Sequence, residues 1–195
     1  MCIRDRCRYM LRIGVLVSGG GTNLQAIIDA ISNGKITNAE IVTVVGSRPG
    51  VYALERAKLN NIPSIVISRK AFNSLEEHDT AVCEHMKYCD VDLIVMAGYL
   101  SIVGDKLIKE FDNKIINIHP SLIPSFCGPG FYGLKVHEAA LERGVKITGA
   151  TVHIVNEVCD GGPILLQKAV EVKPGDTPEV LQKLSLIHIS EPTRH

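Results

Sequence analysis

Three times in its first ninety residues the chain repeats one pattern: a short β-branched apolar run, a turn, then a segment with helical spacing. The apolar run at 11–17 breaks at Ser18-Gly19-Gly20-Gly21-Thr22-Asn23, after which Leu24, Ile27, Ile28 and Ile31 fall on one helical face. Asn33 and Gly34 stop that helix. The spacing then predicts a strand over 40–46, a helix over 52–60, a strand over 63–67 and a helix over 75–88. A fourth strand, 91–97, is apolar everywhere except Asp92. Strands apolar on both faces that alternate with helices build a parallel sheet covered on both sides. The expected class is α/β: a Rossmann-like open, mostly parallel sheet with helices on both faces.

After Gly98 the rhythm loosens. A strand over 114–118 runs into a Gly/Pro-rich loop over 119–134, followed by a helix over 135–143. Residues 145–155 and 163–172 read as two longer strands of antiparallel kind, joined by a turn-rich stretch over 156–162. A last helix opens with Thr177 as N-cap and Pro178 in the first turn. There is no internal repeat, so one domain is expected over 11–184. Residues 1–10 carry no periodicity, and the helical pattern fades after Lys183 ahead of Pro192. Segments 1–10 and 185–195 are therefore expected to be foreign or disordered ends.

Charge and composition exclude several classes. Lys+Arg and Asp+Glu both number 21, so no electrostatic footprint for nucleic acid or an acidic membrane surface is expected. No apolar run approaches the roughly 18 residues that span a bilayer. The basic start lacks the apolar centre of a secretory signal. Six cysteines form no C-x-x-C pair and several sit in apolar segments. That usage fits reduced thiols and a cytoplasmic location, with neither a disulfide framework nor a zinc knuckle.

Three segments carry chemistry. The glycines at 19–21 lie between a strand and a helix, where backbone N–H groups and the helix N-terminus suit an anion, and Thr22 and Asn23 add side-chain donors. No Lys-Ser/Thr follows, so this is not a P-loop, and the third glycine of a dinucleotide fingerprint is replaced by Leu24. A phosphomonoester is the better ligand; a tight turn without ligand is the plainer alternative. In Asn117-Ile118-His119-Pro120-Ser121, period two puts Asn117 and His119 on one side of a strand end. An amide and an imidazole there can stabilise an oxyanion or move a proton, although for the pair taken alone a buried Asn with a capping His is the plainer explanation. Asp160 precedes two glycines and reads either as a turn residue or as a carboxylate that holds His119 in its charged form. His137 and His153 lack metal spacing and read as a helix-surface and a strand histidine. Cys127 and Cys159 read as packing residues with no adjacent base.

These segments occur in a longer series: Ser18 to Ile28, Met96-Ala97-Gly98-Tyr99-Leu100, Asn117 to Pro124, Val136-His137-Glu138-Ala139-Ala140, Thr148 to His153 and Asp160-Gly161-Gly162-Pro163-Ile164. The series, in this order, closely resembles the folate-dependent formyltransferase family, and its Gly-rich start resembles the glycinamide ribonucleotide branch. The resemblance covers about residues 12–183. It implies transfer of formyl from the co-substrate 10-formyltetrahydrofolate to the glycyl amine of 5-phosphoribosylglycinamide, directly and without a metal. Asn117, His119 and Asp160 fall on the family's catalytic residues. Gly21, Thr22 and Asn23 fall on its substrate-phosphate loop. Leu100, Ser101, Ile102 and Val103, with Asn117, fall on its folate contacts, and residues 156–160 on its pterin loop. Leu75 stands where the family commonly has a basic residue near folate. The partners implied are small molecules, with no nucleic acid or membrane, and a monomer or weak homodimer. The competing readings are a formyl-folate hydrolase, a transfer-RNA formyltransferase domain, and a non-catalytic phosphate- or nucleotide-binding fragment.

Overall fold

The computed structural model describes residues 10–190, with side chains through Ser185. Its seven-stranded sheet comprises β1 (Leu11–Val17), β2 (Ala39–Gly46), β3 (Ser64–Val66), β4 (Leu93–Met96), β5 (Ile115–His119), β6 (Ile147–Ile154) and β7 (Ile164–Glu171). The spatial order is β3-β2-β1-β4-β5-β6-β7. β3 through β5 pair in parallel, whereas β6 runs antiparallel to both β5 and β7. The expected class and the switch of strand direction are both present. Among the described residues six α-helices surround the sheet: α1 (Thr22–Ser32), α2 (Tyr52–Leu59), α3 (Leu75–Tyr88), α4 (Asp105–Glu110), α5 (Leu134–Arg143) and α6 (Pro178–Ser190).

The apolar strands bury both faces because successive side chains point to opposite sides. Val15, Val17, Val44 and Val95 join Leu24 and Ile28 of α1 and Ala53 and Ala57 of α2 in one core. Leu16, Val45, Ile94 and Ile115 join Val82 and Met86 of α3 and Leu107 of α4 in the other. Gly14 permits the second packing, since a Cβ there would stand 2.6 Å from Met86 Sδ. β3 departs from the pattern: all three of its residues are exposed, as befits a short strand at the sheet edge.

Two elements escape the sequence pattern. α4 has six residues, too few for a periodicity to show. It starts where it does because the buried Asp79 carboxylate of α3 accepts from Gly104 N–H at 2.7 Å and Leu107 N–H at 2.9 Å. α6 continues to Ser190, beyond the fading of its pattern. Leu181 and Ser185, one turn apart, are buried as the helix packs on α5 and β7, so tertiary contact extends it. Of the ends expected to be foreign or disordered, residues 1–9 and 191–195 lie outside the described residues. No helix among the described residues is long and apolar enough to cross a membrane.

Candidate active site

The strand order reverses between β1 and β4, which leaves a crevice at their carboxyl ends where open α/β sheets place ligands. Ser18 bridges the two strands there. Its N–H donates to Gly98 O at 3.1 Å, and its buried hydroxyl accepts from Leu100 N–H at 2.8 Å and from Ser47 Oγ at 2.7 Å. One serine thus ties the Gly-rich corner to the segment that carries Leu100, Ser101, Ile102 and Val103. In that segment Leu100 and Ile102 expose apolar side chains. Farther along α4, an open groove of about 470 Å³ runs between Ile108, Lys109 and Asp112 and the 156–158 turn.

At the corner, α1 begins with Gly21 in the left-handed region (φ 72°), with no side-chain cap and no acidic residue in its first turn. A Cβ on Gly21 would stand 2.6 Å from Ala53 Cβ, so close packing of α2 demands that glycine. Packing does not require the other two: at Gly19 and Gly20 a Cβ would meet nothing within 4 Å. Thr22 is exposed and Asn23 half-buried. Arg56 of α2, which the sequence reading did not single out, donates to Gly20 O at 2.8 Å and to Gln25 Oε1 at 3.0 Å. A guanidinium therefore stands beside an already electropositive helix start. Its position depends on α2 packing over α1, which no local motif reports.

The second cluster forms where parallel pairing gives way to antiparallel. On β5, Asn117 and His119 share a side, as period two requires, and both reach groups from β6 and its following turn. His119 Nδ1 lies 3.5 Å from Asp160 Oδ2, with the two side chains 5% and 10% exposed. His119 Nε2 lies 2.9 Å from the Phe126 carbonyl. That carbonyl is presented by a braced turn: Ser121 Oγ donates to Ser125 O at 2.6 Å, and Thr151 Oγ1 donates to Ser121 O at 2.6 Å. Asp160 also accepts from Gly128 N–H at 2.9 Å. Burial alone would raise the Asp160 carboxyl, but the His153 imidazole, the Gly128 N–H and charge on His119 together hold it below its ordinary value.

Asp160 is more than a turn residue. It adopts φ 53°, a left-handed conformation that costs a non-glycine residue about 1 kcal/mol. The two glycines after it are required by crowding: a Cβ on Gly161 would stand 2.5 Å from Val158 Cγ1, and one on Gly162 would strike the Ile154 carbonyl.

The structure adds to the sequence reading of one histidine and overturns that of another. His153 pairs with Asn117 in the β5–β6 register, and Asn117 Nδ2 lies 3.2 Å from its Nε2. Asp160 Oδ1 lies 3.6 Å from the same nitrogen. The strand placement holds, but its position inside the cluster could be read only from the register. His137 is not on a helix surface: it is fully buried on α5, and neither ring nitrogen has a hydrogen-bond partner. Burial first, then charge on His119, pushes its pKa down to about 4. Cys127 and Cys159 border Asp160, and both thiols are pushed up, by burial first and then by that carboxylate. Neither is a poised nucleophile. Among the described residues no group of three or more His, Cys, Asp or Glu side chains is placed to hold a metal ion.

A doubly wound sheet with a Gly-rich helix start and an Asn–His–Asp cluster at the carboxyl ends of its parallel strands defines the open α/β class, whose ligands sit outside those strand ends. The formyl transferase family matches residues 11–186, and the chain belongs to that family. It is 44% identical over 173 residues to the phosphoribosylglycinamide formyltransferase of Haemophilus influenzae, covering 89% of this chain and 79% of that protein. It is 44% identical to part of the trifunctional purine biosynthetic protein adenosine-3 of Gallus gallus, spanning 89% of this chain but only 17% of that much longer protein. The crystal structure of glycinamide ribonucleotide transformylase 1 from Symbiobacterium toebii superposes with a TM-score of 0.87 at 42% identity, covering 93% of this chain and 82% of that one.

Proposed function

We propose that the chain transfers formyl from 10-formyltetrahydrofolate to the glycyl amine of 5-phosphoribosylglycinamide, as an enzyme of purine synthesis. The observation that carries the mechanism is Asp160, held by Gly128 N–H and lying 3.5 Å from His119, beside Asn117 on the same strand. The amine nitrogen attacks the formyl carbon, and the carbonyl oxygen becomes an oxyanion. The bond from that carbon to the folate nitrogen then breaks. The amine loses a proton and the folate nitrogen gains one. Asn117 donates an amide N–H to the oxyanion, and His119, beside the Asp160 carboxylate, supplies the second donor once its Nε2–H turns away from the Phe126 carbonyl. A preorganised donor of this kind contributes about 3–4 kcal/mol to lowering the barrier. No nucleophilic side chain is required.

The substrate phosphate rests on the corner formed by residues 19–23, with Gly21, Thr22 and Asn23 at the helix start and Arg56 behind them. Leu100, Ser101, Ile102 and Val103, with Asn117, line the folate side; the exposed Leu100 and Ile102 suit a flat, partly apolar ligand. The partners are small molecules, the location is cytoplasmic, and the molecule works as a monomer or weak homodimer. The test is to mix purified chain with both substrates and follow release of tetrahydrofolate and formylation of the amine. Product formation supports this reading. Hydrolysis to free formate without formylated amine would instead favour a formyl-folate hydrolase.

A further inference from the structure

The segment that carries Leu100, Ser101, Ile102 and Val103 runs from β4 to α4 without helix or strand of its own. Its side chains nevertheless have set directions. Tyr99 and Val103 pack into the core that holds Val82 and Met86 of α3, while Leu100 and Ile102 stand 59% and 71% exposed. Apolar groups held outward on an irregular stretch need something other than a strand ladder to fix them. Two buried side chains from distant elements do this. At one end Ser18 Oγ accepts from Leu100 N–H at 2.8 Å. At the other, Asp79 of α3, 3% exposed, accepts from Gly104 N–H at 2.7 Å through Oδ1 and from Leu107 N–H at 2.9 Å through Oδ2. The Leu107 bond is a helix cap supplied from outside. The N-cap of α4 is Gly104, which has no side chain, and a Cβ there would stand 2.7 Å from Asp79 Cγ. A serine at the N-cap would also cap α4, but without tying it to α3. The carboxylate's other oxygen holds Gly104 N–H, the end of the segment itself.

We infer that Asp79 is a positioning residue for folate: with Ser18 at the opposite end, it fixes the backbone of residues 100–104 so that Leu100 and Ile102 are set outward before the ligand arrives. The ligand's identity rests on the formyl-transfer reading; the two anchors do not. A stretch ordered in advance loses less conformational freedom on binding, so anchoring raises affinity. Both Asp79 oxygens are engaged by this segment and α4. Loosening them therefore disturbs the folate side and leaves the donors around the formyl carbon in place.

The test pairs ligand binding with amide exchange on the full chain. Asp79→Asn keeps the shape but offers one acceptor oxygen to two N–H groups. It should weaken tetrahydrofolate about tenfold in calorimetry, with ribonucleotide affinity and kcat at saturating folate each within about twofold. Gly104→Ala pushes the segment off an unaltered carboxylate and should give the same split, which keeps the test decisive where Asp79→Asn folds poorly. Equal weakening of both ligands, a loss confined to kcat, or no loss for folate would overturn the positioning role. In a background of Leu100→Ala with Ile102→Ala, Asp79→Asn should cost less than about twofold in folate affinity, because the side chains it places are gone. An undiminished cost there would overturn it as well. Hydrogen exchange reads the anchors without any ligand. Gly104 and Leu107 N–H should be protected in the native chain and lose protection in Asp79→Asn, with Leu100 N–H unchanged. Unprotected Gly104 and Leu107 in the native chain would sink the anchoring. A native chain that binds no tetrahydrofolate would sink the formyl-transfer reading instead, and exchange would still decide the anchors.

Discussion

The Gly-rich corner and the Asn–His–Asp cluster both lie at the carboxyl ends of parallel strands but are built in opposite ways. The corner comes almost entirely from consecutive residues, 18–23, and its binding groups are backbone N–H groups at a helix start. It is open to solvent at Gly20 and Thr22. The cluster draws on β5, β6, the 120–128 loop and the 156–162 turn; its groups are side chains and its imidazoles are buried. A site made of backbone holds its ligand through shape and partial charge, and tolerates most side-chain changes that leave the turn intact. A site made of buried side chains depends on each group's charge and orientation. Perturbing the corner should therefore change affinity, and perturbing the cluster should change rate.

The sharpest break in this division is Asp160→Asn. The amide retains the shape but removes the negative charge 3.5 Å from His119, so kcat should fall by about 10³-fold while ribonucleotide affinity stays within a few-fold. Steady-state kinetics beside calorimetric binding would show it; parallel loss of both would erase the distinction between the regions. Asn117→Ala comes next. Removing one oxyanion donor should cost about 10²-fold in kcat, again with little change in binding.

Within the corner, adjacent glycines should part company. Gly20→Ala adds a methyl to open space where the phosphate would sit, so KM for the ribonucleotide should rise about tenfold with unchanged melting. Gly21→Ala instead forces a left-handed conformation against Ala53 and should cost about 1–3 kcal/mol of stability in a denaturant titration. Identical behaviour of the two would mean that the corner is only a turn.

The smallest effect concerns pH and His137. Its folded-state pKa is lowered to about 4, against about 6.5 for the unfolded chain. The unfolded state therefore takes up the proton first as pH drops. The stability conferred by burying the neutral ring is complete above about pH 6.5 and is lost as pH falls toward 4. Between pH 7 and 5 the melting temperature of the native chain should fall more than that of His137→Phe. Equal falls would show that His137 titrates as an ordinary exposed imidazole.

The same contrast explains what was legible in the residues. β1, its glycine turn and α1 follow from a contiguous pattern, because strand and helix periodicities are properties of neighbouring residues. The common side of Asn117 and His119 follows from the two-residue period of one strand. Asp160 could be nominated but not placed, since reaching His119 depends on how the turn after β6 folds back across β5. His153 could be read only as a strand histidine because its meeting with Asn117 is a fact of register between residues 36 positions apart. Arg56 was missed for the same reason: it reaches Gly20 only because α2 packs over α1.

By itself, the sequence determined the alternation of strands and helices, the parallel half of the sheet, the glycine-rich turn between β1 and α1, and the common side of Asn117 and His119 on β5. All of these rest on local backbone geometry and on side chains a few positions apart. The tertiary structure alone decided that His137 is buried, that α6 runs on to Ser190, that the Phe126 carbonyl faces His119, and that two imidazoles share Asp160. Those outcomes depend on which distant surfaces meet. That choice comes from the summed burial of two apolar cores and the register of paired strands, and no short stretch of residues encodes that sum.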